Sequence, residues 1–213
     1  EDEERLRTIF SDFLTGFTLM LDKGPVATVF GSSRVTHGKP AYKMGEDLGA
    51  ALVKLGFAVL TGGGPGLMEA VNRGAHLAGG RSIGINIALP EVQEKNVYTS
   101  PSITINHFFV RKVLLMKYSS AYFFLPGGFG TLDEFFETVT LIQTGKIKPF
   151  PVVLMGKDHW KGLMQWVNGH LKKEGLISPG DTDFLYFADT VHEATDIIQA
   201  RLHNGNLRAK SGN

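Results

Sequence analysis

Three short glycine-containing loops could bind phosphate, and they lie at residues 31–33, 61–66 and 126–131. Each follows a short apolar run that predicts a buried strand, and two of them lead almost directly into a predicted helix. Glycine allows backbone N–H groups to approach a ligand, and a helix N-terminus presents unpaired N–H donors with partial positive charge. A tight turn would explain one such loop, but three at one sheet edge favour a phosphate site.

Neither common nucleotide fingerprint occurs in these loops. The run at 62–66 is Gly-Gly-Gly-Pro-Gly rather than the spaced G-x-G-x-x-G, and the chain contains no G-x-x-x-x-G-K-[ST]. The sequence therefore disfavours a dinucleotide dehydrogenase and a P-loop ATPase. A mononucleotide or a sugar phosphate fits the loops better.

Thr131 and Glu134 have the spacing of a capping box, in which Glu134 would only accept a hydrogen bond from the Thr131 backbone N–H. Spacing alone favours this structural interpretation. In the alternative, the Glu134 carboxylate lies in the first helical turn beside the phosphate loop. From there it could stabilise positive charge on a bound sugar.

Arg111 and Lys112 open the predicted helix 109–119, which leads into the next strand. We expect the start of this helix at the opposite end of the sheet from the glycine loop, which counts against a site that combines Arg111 with Glu134. Two alternatives stay open. Either segment 105–112 curls back over the loop edge, or Arg111 and Lys112 are simply solvated.

Alternating strand and helix patterns position these residues. The patterns predict strands at 26–30, 57–60, 82–88, 121–125, 151–155 and 184–187. They predict helices at 6–21, 40–55, 67–77, 109–119, 131–143, 158–173 and 190–202, with an irregular polar stretch at 90–106. Continuous apolar strands that alternate with helices are typical of a parallel sheet covered on both faces. The predicted fold class is therefore α/β, with a single Rossmann-like doubly wound parallel sheet and helices on both faces.

The chain divides into three predicted parts. Residues 1–22 form an N-terminal amphipathic helix, 23–203 a Rossmann-like nucleotide-binding domain and 204–213 a flexible tail. We expect the helix to pack on the sheet through one apolar stripe. The stripe consists of Leu6, Phe10, Phe13, Leu14, Phe17 and Leu21.

Composition excludes several other classes of protein. The 213 residues are 43% hydrophobic and 20% charged, which suits a packed core. A net charge of +1 gives no field for a polyanion, so we expect no nucleic-acid partner. The absence of cysteine excludes disulfides and thiolate-bound metals, and the seven histidines show no H-x-x-x-H spacing, so no metal is expected. No apolar run approaches the roughly 18 residues of a membrane span, so we expect a cytoplasmic protein without a membrane partner.

The nine residues 126–134, Pro-Gly-Gly-Phe-Gly-Thr-Leu-Asp-Glu, resemble the PGGxGTxxE motif of the LONELY GUY family. Its members are cytokinin riboside 5′-monophosphate phosphoribohydrolases, often mislabelled lysine decarboxylases. The similarity extends through 31–33, 61–68 and 111–112 and covers roughly residues 26–160. It implies hydrolysis of the N-glycosidic bond of a nucleoside 5′-monophosphate, such as a cytokinin riboside monophosphate or AMP, without a cofactor. It also implies a homodimer or a dimer-based higher oligomer with the site near the subunit interface.

The resemblance assigns roles to individual residues. Arg111 and Glu134 would be the catalytic pair. The substrate- and phosphate-binding residues would be Gly31, Ser32, Ser33, Gly62, Gly63, Gly64, Lys112, Gly127, Gly128, Phe129, Gly130, Thr131, Leu132, Asp133 and Thr140. A further substrate-binding acidic residue of the family has three candidates here, Glu91, Gln93 and Glu94.

The chain departs from the plant-type pattern of the family before the Arg-Lys pair. Plant-type members carry Met-His there, whereas this chain has Phe108, Phe109 and Val110, which resembles a bacterial-type branch. Molybdenum-cofactor carriers share this fold and a similar glycine motif, so a non-catalytic nucleotide or cofactor carrier is the alternative function. The presence of both Arg111 and Glu134 favours the enzyme. A literal lysine decarboxylase needs pyridoxal phosphate on a lysine, and the chain offers no convincing site for it.

Overall fold

A single parallel sheet organises the computed structural model, which describes residues 1–90 and 96–203. Within those residues the sheet has seven strands in the order β4-β3-β2-β1-β5-β6-β7, and every neighbouring pair is parallel. The strands are β1 (Val26–Phe30), β2 (Ala58–Thr61), β3 (Ser82–Ile87), β4 (Ser102–Ile105), β5 (Ser119–Phe124), β6 (Val152–Met155) and β7 (Leu185–Ala188).

Helices connect the strands and precede the first of them. They are α1 (Asp2–Met20), α2 (Pro40–Lys54), α3 (Leu67–Leu77), α4 (Phe108–Lys117), α5 (Phe129–Gln143), α6 (Lys157–Trp166) and α7 (Val191–His203). A π-helical turn at Val167–Leu171 extends α6, and a 3₁₀ turn at Pro179–Thr182 precedes β7.

Two hydrophobic layers cover the two faces of the sheet. Leu114 of α4, Phe135 of α5 and Trp160 of α6 pack on one face. The opposite layer contains Leu48 of α2 and Val71 of α3, together with residues of α7. Strands between these layers are buried on both sides, which explains their continuous apolar sequences. The predicted α/β doubly wound fold is confirmed.

The strand order changes direction at β1, which is the topological switch point of the sheet. From β1 the order runs to β2, β3 and β4 on one side and to β5, β6 and β7 on the other. Ligands of open parallel sheets bind beyond the carboxyl ends of the strands at such a switch point. The loops that follow β1 and β5 flank this position.

β4 corrects the predicted irregular stretch at 90–106. Residues 102–105 pair in parallel with β3 at the edge of the sheet, and only Ile105 of the four is fully buried. An edge strand has one neighbour and partial solvent exposure, so its Ser-Ile-Thr-Ile sequence lacks the continuous apolar run of the central strands. The same strand determines where α4 begins.

The predicted apolar stripe of α1 is wrong in part. Leu6, Phe10, Leu14 and Leu21 are more than half exposed, whereas Asp12, Gly16 and Met20 are buried. The helix packs against α4 and β4, with Phe13 and Phe17 partly buried against the core. The buried face includes a carboxylate that finds hydrogen-bond donors, and hydrophobicity alone could not predict this orientation.

Some predictions fall on residues outside 1–90 and 96–203. The tail at 204–213 and the candidates Glu91, Gln93 and Glu94 lie outside the described residues. Across the part of the chain that the structure describes, no helix combines the length and apolar character needed to cross a membrane.

Candidate active site

Backbone hydrogen bonds join the three glycine loops at the carboxyl edge of the sheet. The Ser32 N–H donates to the Pro126 carbonyl oxygen at 3.1 Å, which links the loop after β1 to the loop after β5. The Leu67 N–H donates to the Ser32 carbonyl oxygen at 2.9 Å, which links the loop after β1 to the start of α3. The loops therefore form one continuous backbone surface at the switch point.

Close approach explains two of the loop glycines. A Cβ on Gly66, which has φ +73°, would lie 2.5 Å from the Ser32 carbonyl oxygen. A Cβ on Gly31 would lie 2.9 Å from Leu67 Cβ. Side chains at these positions would force the loops apart, so the glycines allow the shared surface to form.

The start of α5 contradicts the capping-box interpretation of Thr131 and Glu134. The helix begins at Phe129 with Gly128 as its N-cap residue, and no side chain caps it. Its first intrahelical hydrogen bond runs from the Leu132 N–H to the Gly128 carbonyl oxygen at 3.0 Å. Thr131 therefore lies inside the first turn rather than at the cap. The N–H groups that precede this bond are available to an anion.

Glu134 is a buried carboxylate without a protein partner for one of its oxygens. Glu134 is only 8% exposed. Its Oε2 atom is buried and accepts no hydrogen bond from any described residue. Burial raises the pKa of Glu134 from 4.5 to about 7, although Lys112 and Arg111 partly oppose the rise. Burying such a group costs free energy, which marks it as a candidate functional residue.

Arg111 reaches over the end of the sheet from the first turn of α4. Its Nε donates to the Ile85 carbonyl oxygen at 2.8 Å, and its Nη2 donates to the Gly62 carbonyl oxygen at 3.0 Å. Burial lowers the pKa of Arg111, and the nearby Glu134 carboxylate opposes this effect. Since guanidinium groups stay protonated in proteins, Arg111 supplies a fixed positive charge beside Glu134.

The predicted separation of Arg111 from the glycine loops is wrong. Because β4 is parallel to the other strands, its carboxyl end lies at the loop edge, and α4 begins there. The helix then runs back across the sheet to reach the start of β5. The 105–112 segment needs no curl to bring Arg111 to Gly62, so one chain can hold both Arg111 and Glu134.

Lys112 lies between two carboxylates of α5. Its Nζ is 2.7 Å from Asp133 Oδ2 and 2.6 Å from Glu137 Oε2. Burial alone would lower the pKa of Lys112, but these two hydrogen bonds outweigh it and raise the pKa. Asp133 and Glu137 have the i, i+4 spacing of one helix face, which could have identified Glu137 from the sequence.

The other predicted site residues have different surroundings. Gly62, Gly63 and Gly64 are buried, whereas Ser33, Gly128, Phe129, Gly130 and Thr140 are exposed. Leu132, in the first turn of α5, is partly buried against the core. Thr140 lies in the C-terminal half of α5, and its nucleotide-binding role stays a prediction.

The structure adds contacts that the sequence did not reveal. The Gly127 N–H, in the loop after β5, donates a hydrogen bond to His159 Nε2 in the first turn of α6 at 3.2 Å. Asp12 of α1 contacts the turn before α4. Neither His159 nor Asp12 lies in a motif, so no local sequence signal identifies these two residues. In residues 1–90 and 96–203, no three histidine or acidic side chains are grouped to hold a metal ion.

Gly62 offers a test of the Arg111 position. A Cβ on Gly62 would overlap Arg111 Nη2, so we expect Gly62→Ala to displace the guanidinium and lower kcat/KM at least tenfold. The matched control is Gly162→Ala on α6, where a Cβ meets open space. Steady-state kinetics on a nucleoside monophosphate should show the loss only for Gly62→Ala. Equal activity in both variants would contradict the proposed importance of this contact.

Together, the switch-point loops, the buried carboxylate and the arginine define a Rossmann-like α/β protein with a candidate site at the carboxyl edge of its sheet. The family model described as possible lysine decarboxylase matches residues 68–198. The chain is 33% identical over 153 residues to cytokinin riboside 5′-monophosphate phosphoribohydrolase LOG3 of Arabidopsis thaliana, which covers 69% of each protein. It is 30% identical over 169 residues to the cytokinin riboside 5′-monophosphate phosphoribohydrolase of Mycobacterium tuberculosis, which covers 78% of this chain and 89% of that relative. The chain belongs to the LONELY GUY family, a family of N-glycosidic hydrolases.

Solved structures resemble the fold at lower sequence identity. The molybdenum cofactor binding protein of Rippkaea orientalis matches with a TM-score of 0.65 and 21% identity, over 85% of this chain and 99% of that one. The molybdenum cofactor carrier protein of Chlamydomonas reinhardtii matches with a TM-score of 0.58 and 22% identity, over 84% and 99% of the two chains. These likenesses concern the fold alone.

Proposed function

We propose that this protein hydrolyses the N-glycosidic bond of nucleoside 5′-monophosphates to free base and ribose 5-phosphate. The observation that carries the proposal is the buried Glu134 carboxylate, which has an unpartnered oxygen beside Arg111 and the glycine loops. A buried charge without a protein partner suits a ligand that brings positive charge. The family's phosphoribohydrolase activity supports the same assignment.

Glu134 acts on the sugar in this mechanism. As the bond between C1′ and the base breaks, the ribose gains oxocarbenium-like positive charge, as in glycoside hydrolysis. Ionised Glu134 stabilises that charge and takes a proton from the attacking water. The water oxygen bonds to C1′, and the electron pair of the broken bond leaves with the base. The base takes up a proton from solvent, and Glu134 releases its proton to solvent.

Arg111 and the loops orient the substrate. Arg111 contacts the nucleotide and stabilises negative charge on the departing base. The N–H groups at the start of α5 bind the 5′-phosphate, with the loops at 31–33 and 62–64 beside them. Lys112, Asp133 and Thr140 line the rest of the site. Binding the phosphate, which is remote from the reacting bond, holds the sugar against Glu134.

A turnover panel tests this function. The protein is incubated with AMP, GMP, CMP, UMP and isopentenyladenosine monophosphate, each beside its nucleoside, and released base is measured by chromatography. We expect release from one or more monophosphates and none from the nucleosides, because the phosphate supplies the orienting contacts. The order of rates identifies the preferred base, including any preference for cytokinin precursors over AMP.

The same panel, together with a binding measurement and an absorbance scan, separates the alternative functions. Binding of all monophosphates without release of base would favour a nucleotide or molybdenum-cofactor carrier. A Schiff-base absorbance band after addition of pyridoxal phosphate would favour a decarboxylase. The homodimer with a site near the subunit interface and the cytoplasmic location stay part of the proposal, and sedimentation of the purified protein measures the first.

A further inference from the structure

Asp12 is a buried carboxylate of α1 that holds the turn between β4 and α4. Its Oδ2 accepts a hydrogen bond from the Asn106 backbone N–H at 2.9 Å, and its Oδ1 accepts one from Asn106 Nδ2 at 2.9 Å. His107 Nδ1 lies 3.1 Å from the same Oδ2. The residue is only 6% exposed. A carboxylate held in three contacts fixes two consecutive residues of the turn relative to α1.

This turn begins the helix that carries Arg111. His107 is the N-cap residue of α4, and no side chain caps the helix. The His107 carbonyl oxygen accepts hydrogen bonds from the Val110 N–H at 3.1 Å and the Arg111 N–H at 3.2 Å. The negative charge of Asp12 near this helix start also interacts favourably with the positive end of the helix dipole. A continuous chain of contacts therefore leads from Asp12 to the backbone of Arg111.

α1 runs alongside α4 and contacts both of its ends. Asp12 lies at the start of α4, and Gly16 lies against Leu114. Phe17 packs against Tyr118 just past the far end, with ring centroids 6.3 Å apart. α1 thus contacts the Arg111 end of α4 through the Asp12 carboxylate and the opposite end through the Phe17 ring. These two contacts can be changed separately.

We infer that Asp12 is a positioning residue for Arg111, and that α1 is part of the scaffold of the active site. The inference rests on the proposed function, in which Arg111 contacts the nucleotide. It concerns a segment outside the match to the family model, which begins at residue 68. Arg111 reaches the carbonyl oxygens of Ile85 and Gly62 from this backbone, so a shift of the backbone breaks these contacts and misplaces the guanidinium.

The first experiment compares Asp12→Ala with Phe17→Ala. We expect both variants to lower the melting temperature, since each removes a contact of α1 with its neighbours. Asp12→Ala should lower kcat about tenfold or more, whereas Phe17→Ala should leave kcat within about twofold of the unaltered enzyme. Asp12→Asn, which keeps one acceptor oxygen, should lie between and serves if Asp12→Ala does not fold. Equal losses of kcat at equal losses of stability would overturn the positioning role.

A double-mutant cycle identifies the route of the effect. If Asp12 acts through Arg111, then Asp12→Ala should cause little further loss in an Arg111→Ala enzyme. The same fold-loss in both backgrounds would overturn the proposal.

Hydrogen exchange keeps this test separate from the proposed function. Asp12→Ala should speed exchange of the Val110 and Arg111 amides, whereas Phe17→Ala should not. Unchanged exchange would overturn the structural link even if the enzyme proves active. Faster exchange in a protein that hydrolyses no monophosphate would uphold the link and reject only the proposed reaction.

Discussion

Glu134→Gln should lower kcat about 10²–10³-fold, because it removes one preorganised charge that stabilises the transition state. Gln has nearly the same shape as Glu, so it should leave the loops and Arg111 in place. It carries no negative charge and cannot take a proton from water. We expect KM to change little, and steady-state kinetics on the best monophosphate measures both constants.

The pH dependence of the unaltered enzyme should follow the ionisation of Glu134. Burial raises the pKa of this carboxyl to about 7, with Lys112 and Arg111 acting in the opposite direction. The reaction needs the ionised form, so kcat/KM should rise as the pH increases through about 7. Glu134→Gln should lose this pH dependence, since no carboxyl remains to titrate.

As the pH rises, the free energy of unfolding should fall while the activity increases. The folded state binds the Glu134 proton more tightly than the unfolded chain, whose pKa is near 4.5. Its contribution to stability is therefore complete below about pH 4.5 and is lost as the pH rises through about 7. At pH 8 the folded protein holds a buried charge at a cost on the order of 3 kcal/mol, since each pKa unit corresponds to about 1.4 kcal/mol. Urea unfolding at pH 8 should show Glu134→Gln to be more stable than the unaltered protein.

Glu46 supplies a matched control for this pair of effects. It is another mostly buried glutamate on a helix, but it forms an ion pair with Arg73. Glu46→Gln should therefore lower stability and leave kcat unchanged, because it breaks an ion pair between α2 and α3 that involves neither Glu134 nor Arg111. A Glu134→Gln enzyme with nearly full activity would reject the catalytic role of Glu134.

The sequence predicts the centre of this fold because central strands and glycine loops have local signatures. Strands such as β1 and β5 are buried on both faces, so every residue tends to be apolar and the pattern is visible in a short window. The loops at 31–33 and 126–131 could be placed at one edge because parallel strands end on the same side. The candidate site is therefore predictable to the level of the loops that form it.

The relation between Arg111 and Glu134 depends on the one strand that has no such signature. β4 is exposed on much of its surface, so its sequence does not reveal a parallel strand that ends at the loop edge just before α4. Whether the Glu134 carboxylate caps α5 or stays without a partner depends on the residue at which α5 begins. Helix boundaries are poorly encoded in local sequence to within one turn. Asp12 contacts residues distant in the chain, so its burial follows from tertiary structure alone.

Arg111→Ala should lower kcat/KM at pH 7 about 10²-fold or more and shift its pH dependence to higher pH. The guanidinium contacts the nucleotide in the proposed mechanism, and its positive charge also lowers the pKa of Glu134. Without that charge the pKa of Glu134 rises further, so less of the carboxyl is ionised at pH 7. Raising the pH should therefore recover part of the lost activity, and a pH–rate profile from pH 6 to 9 measures this recovery.

Arg111→Lys separates the two roles of the guanidinium. Lysine keeps a positive charge, but its single ammonium cannot reproduce the planar donors that hold the carbonyl oxygens of Ile85 and Gly62. Its pH profile should stay close to that of the unaltered enzyme while kcat remains low. Arg81→Ala, on an exposed arginine that contacts the Asp22 carbonyl oxygen, is the control and should change neither. An Arg111→Ala profile that keeps its midpoint would show that Arg111 does not influence the charge of Glu134, and the two residues would then have to act independently.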